Sequence, residues 1–426
     1  MEKGLNLLSK EQIPSKLRVP EKGRLLIAFS GGSDSLALMY ILSSLAPERC
    51  EALYVNHRIR TSLELEKELK LNEKNANSLG IKLNVVSLES GEVEEYARLN
   101  KCGIEASCRA LRYKELNEYA TQNNFDYILT AHHLLDQAET VLMRILEHSP
   151  FYTYQGILFQ DGAIIRPMLE VSKDEIERII KLSGLEYSTD STNSDTRYKR
   201  NFIRHRIIPL LSKDSLYTLS NIALNLQEYI KKRDNIDIHL SRHYVDISRN
   251  SFLSSDIISR ENAIYRASNH LENKERLSRA FLEHVYSIVK KGQGKASTKY
   301  LDFIAMKEKL RVFSHVADFS SPFSFSQRSI NNFDIRYENI DSKVLNIDTS
   351  LLKGNVVLRK SRSGDEIILH EGTKRVRELE TRAHVPYSLV LEDENGIIAV
   401  FLRFLGANDR LSRKFISHYG TPIIIL

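Results

Sequence analysis

Six small or polar residues, Ser30-Gly31-Gly32-Ser33-Asp34-Ser35, interrupt the apolar stretch RLLIAFSGGSDSLALMYIL between Arg24 and Leu42. Read as strand, turn and helix, they place three hydroxyls and two flexible glycines at a helix N-terminus. Unpaired N–H groups and the positive end of the helix dipole collect there and attract an anion. Gly31 and Gly32 let the main chain approach a ligand closely. The combination suits a phosphate cradle. No Lys-Ser/Thr pair follows, so the common GxxxxGK[ST] loop is excluded. Asp34 would repel phosphate unless a cation lay between them, and Mg²⁺ is the cation expected. The plainer alternative is a Gly/Ser turn with Asp34 as a helix cap, but a loose linker does not normally sit between two buried elements.

Further polar clusters follow. Asn56, His57 and Arg60 come after a second apolar run, and His132 and His133 after FDYILTA. Asp136 and Glu139, three apart at the opening of a helix, share a face; they either complement the helix dipole or join Asp34 around Mg²⁺. No thiolate or third histidine completes a zinc set, so His132 is expected to give a hydrogen bond or a proton near phosphate. Glu105, Arg109 and Arg112 form one helical stripe, as an ion pair on a solvated face or as a functional edge. Arg197, Lys199, Arg200, Arg204 and Arg206 cluster around Asn201, as a solvated face or as a phosphate grip.

These residues need a frame. RLLIAF, EALYVNH, IKLNVVSL and FDYILTAHH are strand-length apolar runs. Helical patterns at 33–44, 63–79, 104–123 and 134–148 alternate with them. The alternation predicts an α/β fold with a parallel sheet covered on both faces, and ligands of such sheets sit beyond the carboxyl ends of the strands. VSKDEIERIIKLSG predicts a further helix closed at Gly184. After residue 212 the pattern changes to long helices at 216–240 and 277–291, then a basic stretch. From about 335 come alternating segments of a small β-rich module, with Asn395-Gly396 as a hairpin signal. Three domains are expected: 1–211, 212–334 and 335–426.

The 426 residues are 42% apolar and 27% charged with net charge +6, compatible with a nucleic-acid partner but too weak to establish one. No apolar run approaches the about 20 residues that cross a bilayer, and the first residues lack a secretory h-region. Three cysteines without a CxxC pair fit a reducing compartment, so a cytoplasmic, membrane-free protein is expected.

The turn SGGSDS resembles the signature of the PP-loop ATP pyrophosphatases, which cleave ATP between its α and β phosphates. With VNHRIR, the stretch 105–113, HHLLDQAET, RPML and DSTNSDTRYKRNFIR, residues 20–211 resemble the tRNA(Ile)-lysidine synthetase family. The resemblance implies a catalytic PP-loop domain, a helical tRNA-binding middle domain and a small C-terminal domain. It implies ATP and Mg²⁺ as cofactors, L-lysine and a CAU-anticodon tRNA(Ile) as partners, and leaves room for a homodimer. The implied reaction adenylates the wobble cytidine at O2 and then replaces AMP at C2 with lysine. Ser30, Gly31, Gly32, Ser33, Asp34, Ser35 and His57 would hold ATP. Asp34, Asp136 and Glu139 would hold Mg²⁺. Asp34, His132, Asp136, Arg112 and Arg204 would be catalytic, and Arg197, Arg200, Lys290, Lys291, Lys295 and Lys299 would contact tRNA. The family commonly shows a second aspartate where this chain has Leu135, so Asp136 acts alone or with Glu139. A PP-loop tRNA thiolase is the nearest rival, although Cys102 and Cys108 have the wrong spacing for it.

Overall fold

The computed structural model describes residues 7–59, 62–188, 199–233, 235–271, 276–315, 319–331, 333–337, 344–416 and 420–426. They pack as two compact units, one of residues 1–149 and 153–229, the other of residues 150–152 and 230–426.

The first unit is built on a six-stranded sheet. Its strands are β1 (Leu25–Phe29), β2 (Cys50–Asn56), β3 (Lys82–Ser87), β4 (Tyr127–Leu129), β5 (Gln160–Asp161) and β6 (Ile164–Ile165), in the order β3-β2-β1-β4-β6-β5. All neighbours are parallel except β5 on β6. Leu25, Leu26 and Ile27 of the central strand are inaccessible to solvent, as expected of a strand covered on both faces. The connecting helices are α1 (Ser33–Leu45), α2 (Ser62–Ser78), α3 (Glu92–Asn100), α4 (Ile104–Gln122), α5 (Leu134–Leu146) and α6 (Lys173–Ser183). Helix α1 is buried from Ser35 to Ser43, apolar almost all round because the sheet and α6 sandwich it. Gly184 at φ +63 closes α6 as its sequence implies.

Two elements here lie outside the sequence expectation: α3, and the β5–β6 hairpin before RPML. A short helix α7 (Lys199–Phe202), a π-helical turn at Ile203–Ile207 and α8 (Lys213–Lys232) complete the unit. Because α8 packs with the first unit, the boundary in contacts falls at 229/230, and residues 230–334 share the second unit with 335–426.

In the second unit, the stretch read as one helix to residue 240 ends at Lys232 and is followed by β7 (Ile238–Leu240). β7 opens a five-stranded antiparallel sheet, whose strands Gly294–Ser297, Leu301–Ala305 and Lys309–Ser314 follow the helix Arg279–Lys291. The middle segment thus combines helices with a sheet. The C-terminal segment forms further antiparallel sheets, including the Leu389–Asp393/Gly396–Phe401 hairpin. Its turn is Glu394-Asn395, with Gly396 at φ +113. Among the described residues no helix is long and apolar enough to cross a membrane.

Candidate active site

Helix α1 starts directly after β1. Its N-cap, Gly32, is extended at φ −83 and ψ 167 and contributes no side-chain cap, so the first-turn amides stay open to an anion. The turn is braced from within. The Ser30 N–H donates to Ser35 Oγ at 3.2 Å, and the Ser35 hydroxyl donates to the Gly32 carbonyl at 3.0 Å. Gly31 sits at φ +77, where a side chain would be strained.

Beside the turn, at the carboxyl ends of β1 and β4, lies a pocket of about 300 Å³. Ser30, Asp34 and Ser35 line it together with Arg112, His132, Asp136 and Arg204. Glu105, Arg200 and Asn201 complete its polar wall. Residues from four segments of the sequence meet there, where ligands of such a sheet are expected. His57 is not among the lining residues; its Nδ1 is buried without a hydrogen-bond partner. Arg60 and Arg197 lie outside the described residues. A larger cavity of about 570 Å³ in the second unit is lined by Lys374, Arg382 and Arg410, with Glu371 its one carboxylate among the described residues.

Asp34 and Asp136 converge on one ring. His133 Nε2 stands 3.5 Å from Asp34 Oδ2 and 3.6 Å from Asp136 Oδ2. The His133 N–H also donates to Asp136 Oδ2 at 3.0 Å, which fixes the start of α5. Thus His133, rather than His132, bridges the carboxylates. On its other oxygen Asp34 receives the Lys173 ammonium. Lys173 is the first residue of α6, whose Ser172–Glu175 capping box sets its direction. Burial pushes the Asp34 carboxyl up, but the His133 ring and the Lys173 ammonium outweigh it, leaving its pKa below the ordinary value.

Glu139, expected beside a metal, is only 1% exposed and has both oxygens on guanidinium groups. Arg204 Nε donates to Oε1 at 2.6 Å and Nη2 to Oε2 at 2.9 Å; Arg200 Nε reaches Oε2 at 3.2 Å. The same two arginines each place Nη2 3.0 Å from Asp136 Oδ1. Arg200, expected on tRNA, therefore belongs to this cage. Burial alone would raise the Asp136 pKa; charge from His133 and Arg200 outweighs it and drives the value well below normal.

His132 is held by Thr130, whose Oγ1 lies 2.8 Å from its Nδ1. Burial, opposed by Asp136 and reinforced by Arg109, Arg166 and Arg200, lowers its pKa to about 3. A neutral imidazole supplies a hydrogen bond, not an imidazolium proton. Burial and Arg109 lower the pKa of Arg112, and no carboxylate pairs with Arg112 among the described residues. An anion in the pocket would relieve that cost. The intrahelical pair Glu105–Arg109 does not form among the described residues; Arg109 instead lies over the Tyr113 ring at 5.1 Å.

Mg²⁺ can be tested against these donors. Among the described residues no group of three His, Cys, Asp or Glu could hold a metal. Asp34 and Asp136 nevertheless offer two converging hard oxygen donors. Mg²⁺ is commonly bound by one or two carboxylates together with substrate phosphates, so the pair fits while Glu139 serves the arginines.

The PP-loop domain model matches residues 5–211. The first half of the chain is a PP-loop domain. A tRNA(Ile)-lysidine synthase of Thermosipho africanus is 27% identical over 442 residues, 96% of each chain. One of Clostridioides difficile is 25% identical over 91% of this chain and 92% of its own. The chain carries a PP-loop domain, which indicates ATP binding, and is similar to these synthases along nearly its whole length. A solved U34-tRNA thiolase, NcsA from Methanococcus maripaludis, covers 52% of this chain and 76% of its own at 19% identity, with a TM-score of 0.40; so loose a likeness carries no argument.

Two outcomes are expected. Arg204→Ala should cost about 1–3 kcal/mol in urea unfolding, because a buried carboxylate loses its closest partner; adding Glu139→Gln should recover part of that loss. The His132 pKa is about 3 folded against 6.5 ordinarily, so only the unfolded chain takes up that proton between these values. Its contribution to stability is complete above about pH 6.5 and declines as pH falls toward 3. The urea midpoint of His132→Gln should therefore fall less than that of the wild type between pH 7.5 and 5.

Proposed function

We propose that the chain carries out the tRNA(Ile)-lysidine synthase reaction: ATP adenylates O2 of the wobble cytidine in a CAU anticodon, releasing pyrophosphate. The amine of L-lysine then attacks C2, and AMP leaves with the bonding electrons of the C2–O2 bond. The reading rests above all on the pocket that the open N-terminus of α1, with Asp34, shares with Asp136, His132 and Arg112, beside similarity over 96% of the chain to an enzyme of that name.

The chain's own residues take the following parts. The amides and hydroxyls of residues 30–35 bind the triphosphate. Asp34 and Asp136 would hold Mg²⁺, which supplies charge neutralisation on the departing pyrophosphate. Neutral His132 gives a hydrogen bond, and Arg112 and Arg204 stabilise negative charge developing on phosphate. Glu139 holds Arg200 and Arg204 in position. Glu105 lines the pocket with no cation on it among the described residues, and is available to the lysine ammonium.

Long-range contacts to tRNA phosphates fall to exposed lysines of the second unit. Lys290 and Lys291 end the helix Arg279–Lys291. Lys295 is already paired with Asp302 at 3.0 Å and Lys299 donates to the Tyr300 hydroxyl at 2.6 Å, so these two are weaker candidates. Arg197 keeps its proposed place near the anticodon nucleotide on the resemblance alone. A cytoplasmic location follows from a tRNA substrate.

The thiolase alternative has less support. Burial pushes the Cys50 thiol up to about 12 and raises that of Cys108, the reverse of what a sulfur nucleophile needs.

The test is incubation with ATP, Mg²⁺, labelled lysine and CAU-anticodon transcripts. Label should enter the RNA in the wild type and in a variant lacking all three cysteines. Asp34→Ala should lower incorporation by about 10³-fold or more while filter-retained tRNA stays within about twofold. Loss of incorporation on removing the cysteines, or label from cysteine instead of lysine, would overturn the proposal.

A further inference from the structure

Helix α2 turns an unusual face inward. Glu68, Asn72 and Asn75, at i, i+4 and i+7, are 6%, 0% and 1% exposed. A packing helix normally puts apolar residues on that stripe. Asn75 is accounted for, since its Nδ2 donates to the Glu186 carbonyl at 2.8 Å. Two residues on, the Ser188 N–H donates to the Gly31 carbonyl at 3.1 Å. The segment after α6 therefore connects α2 to the phosphate-binding turn.

Asn72 has no such bond. Neither its Oδ1 nor its Nδ2 has a hydrogen-bond partner among the described residues. The amide lies directly against Gly31: a Cβ added there would stand 3.0 Å from Asn72 Oδ1, 3.1 Å from its Nδ2 and 3.1 Å from Glu68 Oε1. A fully buried amide without partners is destabilising, whereas an apolar side chain of similar shape would be tolerated. The cost is recovered if the amide is satisfied in a second state of the protein. Gly31, with φ +77, adjoins the peptide planes best able to turn.

We propose that Asn72 is a positioning residue for ATP. When the triphosphate draws the amides of Gly32 and Ser33 outward, the peptide groups around Gly31 turn toward α2, and the Asn72 amide hydrogen-bonds to them. It does not touch the nucleotide. It holds the turn in the conformation that does, with Glu68 and Asn75 fixing its surroundings. The inference rests on reading this turn as the ATP site.

Three variants of the full chain test it, each titrated calorimetrically with ATP and Mg²⁺, unfolded in urea and assayed for the KM and kcat of ATP cleavage. Asn72→Leu should keep or raise the urea midpoint yet bind ATP about tenfold more weakly, with KM raised and kcat little changed. Asn72→Ala and Asn72→Ser leave similar space, so they separate packing from hydrogen bonding. Serine should bind ATP within about threefold of wild type and alanine about tenfold more weakly. Wild-type affinity in the leucine and alanine variants would overturn the inference, and so would equal weakening of alanine and serine in step with lost stability. A wild-type protein that does not bind ATP would remove the reading of the turn and this inference together.

Discussion

Carboxylates taken out of water must be paired, and that requirement organises the catalytic unit. Three acids, Asp34, Asp136 and Glu139, face three cations, Lys173, Arg200 and Arg204. The cations come from chain segments remote from the acids in sequence. A buried charge left alone is destabilising by several kcal/mol, so α6 and the 199–207 segment are held against α1 and α5 by charge as well as by apolar packing. The pairing closes the end of the sheet around the phosphate-binding turn.

This balance also explains how the pocket is disposed toward a polyanion. With the three acids already matched, a triphosphate brings charge that the cage does not neutralise. Arg112 has no carboxylate partner among the described residues, the α1 amides are uncapped, and Asp34 and Asp136 converge where a divalent ion would offset phosphate charge. Glu139, buried with both oxygens on guanidinium groups, keeps two arginines extended along the pocket wall. The neutral His132 fits the same logic, since burial next to three arginines makes a positive ring there costly.

Much of this was legible in the sequence, for physical reasons. Strands covered on both faces are written as short unbroken apolar runs, and the helices between them keep their period, so β1–β4 and α1, α2, α4, α5 and α6 stand where the pattern puts them. The turn at 30–35 is legible because glycines, hydroxyls and one acid there conflict with core packing. Helix α3 and the β5–β6 hairpin were not, being too short or too polar to give a period. In the second unit, the short buried strands Leu301–Ala305 and Lys309–Ser314 lie among exposed lysines and read in sequence as part of a basic stretch. Partner choice was the other blind spot. Composition shows that Arg200 and Arg204 are cations near Asn201, not that they close on Glu139. Lys173 and Asp34 are 139 positions apart. His132 meets Thr130 whereas His133, the N-cap of α5, meets Asp34 and Asp136, and a run of two histidines does not reveal which does which. The buried stripe of α2 carried a signal, polar residues at helical spacing, that reads in sequence as a solvated face.

The most direct test is a structure of the protein with Mg²⁺ and a non-hydrolysable ATP analogue. The triphosphate is expected along the amides of residues 30–35 and the metal between Asp34 and Asp136, with Glu139 still on its arginines. An analogue bound elsewhere, or a metal held by neither aspartate, would contradict this reading of the site.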